Sequence, residues 1–357
     1  MAILFLLFHD FLPPYFLLQL KICRIERLFI AERIMSTSLN IAIAANFDLC
    51  EKIASYLEES LLEVEKLSIV EIYPFSEEQG IRFNGKAVAQ LPVDEVEWSD
   101  FNYLFFAGDL AHIPLLAKAS EAGCLTIEMN GVCSALADVP VVIPGVNEEQ
   151  LRDLRQRNIV SLPDAQVTQF ALSVRSLLNN ASNAQIVVSS LLPASYYDAD
   201  GVHKLVGQTA KLLNGIPPDE EEMRFAFDVF PAKSLNLNAQ LQRVFPQLEN
   251  VVFHQIHVPV FYGLAQMVTV KAEFEPEQDS ILAEWSTNDL IRYHQDKVMT
   301  PVLNGEAENN EDEVHLQISA LESVEGGIQY WLVADNQRFS QAFLAVKLLE
   351  SIYRQGY

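Results

Sequence analysis

Cysteine is scarce in this chain. There are four in 357 residues, Cys23, Cys50, Cys124 and Cys133, with no CxxC pair and no zinc or haem spacing. That excludes a disulfide scaffold and a metal centre, and it fits reduced thiols in a cytoplasmic protein. Basic residues are few as well: 24 Lys and Arg stand against 48 Asp and Glu, a formal net charge of −24. Such a surface repels a phosphate backbone, which excludes nucleic acid as a partner. An unbroken apolar run is also missing. MAILFLLFHDFLPPYFLLQL at the start is apolar, but His9, Asp10, Pro13 and Pro14 interrupt it, where a membrane span needs about 20 mostly apolar residues without a central Pro pair. Nor does it have the basic lead-in and small-residue cleavage site of a signal peptide. Residues 1–35 are therefore expected to be an apolar extension ahead of a native start at Met35, with a membrane-associating segment as the alternative.

What the chain does have is a regular alternation of strands and helices. SLNIAIAA (Ser38–Ala45) reads as a strand and Leu49–Val64 as a helix, the opening of a dinucleotide-binding βαβ unit. The turn between them, Ala45-Asn46-Phe47-Asp48, contains no glycine. Phe47 would crowd a phosphate there and Asp48 would repel it. Ser68–Tyr73, YLFFA (Tyr103–Ala107), Cys124–Glu128 and Asn158–Leu162 continue as strands, with helices over Ile113–Ala122 and Glu148–Gln156. Asn84-Gly85 marks a tight hairpin that takes in Arg82, and Glu77 and Glu78 read as solvated loop residues. The pattern predicts a doubly wound parallel sheet. Next, Pro163-Asp164 precedes an amphipathic run, Val167, Phe170, Ala171, Val174 and Leu177, which predicts a helix with Asp164 as its N-cap.

The second half changes character. Ile186–Leu192, Phe225–Phe230, the long run Val251–Glu275, Glu313–Ala320 and Ile328–Ala334 alternate as strands, and Val202–Asn214 reads as a helix closed by Gly215. Asp219–Glu222 and Asn304–Glu313 read as acidic, solvated and flexible, and Arg338–Arg354 as a closing amphipathic helix. Long alternating strands with few helices predict a mainly antiparallel sheet with one face free to meet a second copy.

Four ordered stretches resemble the aspartate-semialdehyde dehydrogenase family. EAGCLTIEMNGVCSALADVPVVIPGVN (Glu121–Asn147) is similar to its E-A-G-C-x-V-I-D-N-S-S-A-F-R-x-x-x-D-V-P-L-V-V-P-E-V-N, and PDAQVTQ (Pro163–Gln169) to its P-N-C-S-T-x-Q. HVPVFYGLAQMVTVKAE resembles its R-V-P-V-F-x-G-H-S-E-A-V-x-V-x-x-E, and VADNQRFSQAFLAVKLLE its V-S-D-N-L-R-K-G-A-A-x-N-A-V-Q-I-A-E. AKLLNGIPPDEEE points to the degenerate Usg-type branch. The resemblance implies a Rossmann-like domain over 36–162, a semialdehyde dehydrogenase dimerisation-type domain over 163–335, and a C-terminal helix over 336–357 that packs back on the first domain. It also implies NADP as the family cofactor and reduction of an acyl phosphate through a cysteine thioester.

That chemistry needs a thiolate, a proton-transferring histidine and two anion-holding arginines. By the resemblance these positions hold Ala165, Leu264, His257 and Ser134, and the phosphate cradle holds Ala45, Asn46, Phe47 and Asp48. The loop that is S-G-A-G in the family is Pro193-Ala194-Ser195-Tyr196. Gln169, Asp335 and Asn336 match retained family positions, and Cys124 a packing cysteine. His254 and His257 lie three apart in a strand and so face opposite ways, which disfavours a metal pair. His257 reads as a partly exposed ordinary histidine, with a weak carboxylate binder as the sharper alternative. Cys124 and Cys133 fall in the nucleotide domain and do not replace the thiolate, and Asp164 reads as a cap before it reads as a base. The expectation is a catalytically silent, dimeric binding or regulatory homologue, with a small-molecule ligand in the interdomain cleft as an option. The alternative is an NAD(P)-linked oxidoreductase acting on an aldehyde or oxo group in amino-acid biosynthesis. The partner is expected to be a second copy, with an active homologue as the other choice.

Overall fold

In the computed structural model two sheets organise the chain. The structure describes residues 38–357 except 76–79, 181–183, 218–221, 233–234, 273–276 and 312–313. The expectations for residues 1–35, for Glu77 and Glu78, and for most of Asp219–Glu222 lie outside the described residues.

The first sheet is wholly parallel. Its strands run in the order Ala89–Pro92, Val64–Glu71, Leu39–Ala44, Tyr103–Phe106, Leu125–Glu128, Ile159–Ser161. Ile41, Ala42, Ile43 and Ala44 are all buried, as a strand covered on both faces requires. The helix after it spans Phe47–Glu59, starting earlier and ending earlier than the periodicity predicts. Asn46 sets the start by accepting a hydrogen bond from the Leu49 amide, and Val64 already belongs to the next strand. Asn84 and Gly85, both at positive φ, close the expected hairpin between Arg82–Phe83 and Lys86–Ala87. Glu148–Gln156 is a 3-10 helix rather than an α-helix.

The second sheet is mixed and mainly antiparallel. Its order is Phe230–Pro231, Val251–His257, Gln185–Leu192, Leu264–Lys271, Gly327–Ala334, Leu316–Val324, Ile291–His294. Two of its pairings are parallel and four antiparallel. Several expectations are corrected here. Val251–Glu275 is not one strand: it breaks at 258–263 and re-enters as a separate strand beyond Gly263. Gly263 has φ +91°, and a Cβ there would lie 2.8 Å from Pro301, so the turn needs glycine on both counts. Only Phe230–Pro231 of the Phe225–Phe230 pattern is strand, and the helix expected at Val202 begins at Asp198. The acidic segment expected to be a flexible loop is instead a helix, Pro301–Glu311, with Asn304 and Glu308 buried.

Under the sheet Trp285 and Tyr330 pack edge to face, and both use Ser173: Trp285 Nε1 donates to its carbonyl at 3.0 Å, and the Tyr330 hydroxyl meets its Oγ at 3.1 Å. The closing helix starts two residues early, as a π-helix over Asn336–Phe343 with the Ser340 amide reaching back to the Asp335 carbonyl, and continues as α-helix over Leu344–Arg354. Tyr103 Oη donates to the Tyr357 carbonyl at 2.8 Å, which ties the chain end to the first sheet.

Candidate functional site

The Ala165–Val174 helix starts where the sequence places it, and every residue in it is buried. Asp164 caps it: Oδ1 accepts from the Gln166 amide at 2.8 Å and Oδ2 from the Tyr196 hydroxyl at 2.6 Å. Burial raises the Asp164 carboxyl, while the hydrogen bonds from Tyr196 and Gln166 pull it back. The Asp164 amide donates to Gln240 Oε1 at 2.8 Å. Ala165 then sits in a small apolar cluster with Leu192 and Leu264, edged by Tyr196 and Ala232. The first residue of a helix is a place where a thiolate would be stabilised. Here it is methyl packed on isobutyl.

The remaining positions tell the same story. His257 is fully buried, which corrects the expectation of partial exposure. It stacks on Phe230 at 4.6 Å and meets the rings of Phe225 and Tyr197 edge-on or tilted. Desolvation lowers its pKa, against weaker opposing effects of the Phe225 backbone and Asp228, so it is a neutral aromatic filler at pH 7. Ser134 turns its hydroxyl onto the Gly131 carbonyl at 2.5 Å. Arg243 is consumed by the carbonyls of Ser134, Leu136, Ala137 and Val139.

At the nucleotide end Phe47 does not block the turn. It packs against Phe75 with ring centroids 5.4 Å apart. The obstacle is charge. Asn46 Nδ2 reaches Asp198 Oδ1 at 3.4 Å, which brings the Asp198 carboxylate beside that of Asp48. Burial raises the Asp198 pKa, and the nearby charges of Asp200 and Asp48 raise it further. Lys52 is occupied by the Asp48 carbonyl and Gln337 Oε1. An incoming pyrophosphate would therefore meet carboxylates where a cradle needs free N–H groups.

Gln169 and Asn336 hold the frame. Gln169 Nε2 donates to the Ala334 carbonyl and to Ser340 Oγ at 3.2 and 3.3 Å. Asn336 accepts from Ser195 Oγ at 2.9 Å and returns a bond to the Ser195 carbonyl. Burial pushes the thiols of Cys50, Cys124 and Cys133 up to about 12, so none is a nucleophile at neutral pH. Among the described residues no group of three or more His, Cys, Asp or Glu is placed to hold a metal ion.

Two buried carboxylates escape a reading by motif. Glu128 accepts from the Asn130 and Cys133 amides and from Ser161 Oγ at 2.6, 3.0 and 2.6 Å, stitching two strands to the turn between them. Glu308, 3% exposed, accepts from Asn304 Nδ2 at 2.9 Å and lies 3.8 Å from Arg338, and burial with Asp335 nearby lifts its pKa to about 7. The only signal in the sequence was a lone acid inside an apolar strand for the first; for the second there was none. A cavity of about 1050 Å³ also opens between the two halves, lined by Leu62, Pro144, Leu172, Trp285, Leu290 and Phe343. Leu172 places it about two helical turns beyond Ala165, away from the positions above.

No protein-family model matches the chain. A USG-1 protein homolog from Haemophilus influenzae is 57% identical over 327 residues, covering 90% of this chain and all of that protein. Aspartate-semialdehyde dehydrogenase 2 of Vibrio cholerae is 28% identical over 344 residues, again covering 90% of this chain and all of that one. The chain belongs to the USG-1 branch of the aspartate-semialdehyde dehydrogenase family. The crystal structure of aspartate semialdehyde dehydrogenase II from Vibrio cholerae superimposes with a TM-score of 0.81 at 26% identity, over 90% of this chain and all of that chain. The parallel sheet is thus the family's Rossmann-like half and the mixed sheet its second domain.

Proposed function

We propose that this USG-1-type chain is a catalytically silent, homodimeric binding or regulatory protein of the cytoplasm. The observation that carries this reading is the dry cluster of Ala165, Leu192 and Leu264 at the head of the Pro163 helix. A thioester route needs a polarisable nucleophile there and a base beside it. Neither methyl nor isobutyl can bond or move a proton. The carboxylate pair Asp48 and Asp198 argues against a dinucleotide, and the caged, uncharged His257 against a substrate carboxylate. Free thiols at all three described cysteines fit a reducing compartment.

The homodimer rests on the uncovered face of the mixed sheet. Val252, Val187 and Thr269 lie in one register row, and His254, Ser189, Met267 and Trp331 in the next. All are half-buried or exposed, with Val252 51% exposed, whereas the opposite face is sealed by helices. The test is an assay of purified protein with NADPH or NADP and an acyl phosphate or semialdehyde. No turnover above a host-enzyme blank is expected; turnover that follows the protein through purification would overturn the reading.

A further inference from the structure

A cavity of about 1050 Å³ opens at the seam of the two halves, and none of the positions compared with the family chemistry lines it. Leu62 and Pro144 reach it from the parallel-sheet half, Leu172 and Trp285 from the mixed-sheet half, and Phe343 from the closing helix. These walls are apolar and fixed. Leu62, Leu172 and Trp285 are 9%, 2% and 1% exposed, and Trp285 is held by its bond to the Ser173 carbonyl. The halves already touch beside the cavity: Arg175 donates to the Gly145 carbonyl, and a Cβ on Gly145 would lie 3.3 Å from Leu290 Cδ1. The space is therefore preformed, and it matches the upper end of small-molecule sites, about 300–1,000 Å³, which favour domain boundaries.

The charged groups on the rim decide what kind of molecule fits. Each cation there has a protein partner. Arg175 has the Gly145 carbonyl, Lys347 the Glu350 carboxylate at 3.0 Å with the Phe343 ring 5.6 Å away, and Arg354 the Glu350 carbonyl at 3.3 Å. Three carboxylates on the rim have none among the described residues: Glu148 from the first half, and Glu284 and Asp289 from the second. The helix Gln278–Thr287 also ends on the rim, at Thr287 and Asn288, with no basic residue in its last turn to answer the negative end of its dipole. Unspent charge and dipole point the same way. A cation with an apolar body satisfies rim and walls together.

We propose that this cavity binds an amphipathic cation, an amine carried on a ring-sized apolar body that lies against Leu62, Leu172 and Trp285 while its ammonium faces Glu148, Glu284 and Asp289. The site gives the binding role proposed above a ligand class, and it rests on that reading for the role, not for the contacts. A ligand seated there touches both halves and the closing helix at once, so its binding energy adds to the stability of the whole chain. The old catalytic positions take no part, because Leu172 is about two helical turns from Ala165.

The experiment is thermal shift and calorimetry on the full chain with tryptamine, tryptophol and indole-3-acetate, which share a ring and carry a cationic, a neutral and an anionic tail. A saturable rise in Tm is expected with tryptamine, which should bind at least about threefold tighter than tryptophol at low salt, with indole-3-acetate weakest. Leu172→Phe, which adds bulk to the cavity wall, should weaken tryptamine and tryptophol alike, by about tenfold. Glu148→Gln combined with Asp289→Asn should bring tryptamine down to the level of tryptophol and leave tryptophol unchanged, with circular dichroism as in the parent. Should Leu172→Phe fail to fold, the charge variant decides alone. The proposal is overturned if tryptamine gives no saturable shift, if indole-3-acetate binds as tightly, or if the folded charge variant keeps the parent's preference. NADPH turnover measured on the same samples bears on the silent reading alone, so the two failures are separable.

Discussion

At the scale of single residues, the proposed silence rests on packing at the head of the Pro163 helix. Ala165 and Leu264 touch the same apolar cluster, so restoring a thiol and an imidazole places polar groups in a dry contact that has no partners for them. The Ala165→Cys, Leu264→His double variant is expected to show no measurable NADPH-linked turnover of a semialdehyde. Residues that act as one unit do not restore function piecemeal, and the carboxylates at Asp48 and Asp198 would still repel the cofactor. His257 gives a second prediction. Its folded pKa lies below the ordinary value of 6.5 because burial disfavours the charged ring. The unfolded chain therefore takes up the proton first as pH falls, and the stability present above pH 6.5 is lost below it. His257→Phe, filling the same ring cage, should flatten the fall in Tm between pH 7 and pH 5. Parallel curves for the two proteins would contradict the assignment.

At the scale of elements, the acidic helix Pro301–Glu311 shows how tertiary contacts overrule composition. It is fixed at Gly263 by Pro301 and at the π-helix by Glu308 facing Arg338, and Trp331 Nε1 donates to the Met299 carbonyl just ahead of it at 2.7 Å. Around the Glu308 carboxyl stand Asn304 on its own helix, Asp335 at the N-cap of the π-helix, Arg338 within it, and Tyr56, which accepts from Arg338 at 2.9 Å. With a folded pKa of about 7 against the ordinary value of 4.5, the folded state holds a proton between those pH values that the unfolded state has released. Stability should thus fall as pH rises from about 4.5 through 7 and then level off. Glu308→Gln keeps the Asn304 contact and removes the charge. Its Tm profile should be flat across that window, with a gain at pH 8 of up to about 3 kcal/mol set by the difference in pKa. A profile that retains the parent's slope would remove Glu308 as its source.

At the scale of the molecule, the two sheets differ in what covers them. The parallel sheet is wrapped on both faces, while the mixed sheet leaves the rows through Val252 and Met267 uncovered. A two-fold mate seated there would bury an apolar patch that a single copy leaves in water. Light scattering at micromolar concentration is expected to give a dimer, and Val252→Asp or Met267→Arg to give a folded monomer. A monomeric parent protein would end this assignment.

The sequence by itself determined the strand and helix alternation of the first half. Parallel strands covered on both faces must be continuously apolar, and Ile41–Ala44 and Tyr103–Phe106 are. It also determined the cap at Asp164, because a cap is a local property of one or two residues. The split of Val251–Glu275 was decided only in three dimensions: alternation runs on through a break that depends on Pro301, some forty residues away. The same is true of the acidic helix, whose buried Glu308 has its partner in Arg338. The amide network at the head of the Pro163 helix is the clearest case. Gln166 and Gln266 are unremarkable letters a hundred residues apart. Tyr196, Asp164 and a main-chain carbonyl fix both amides one way round.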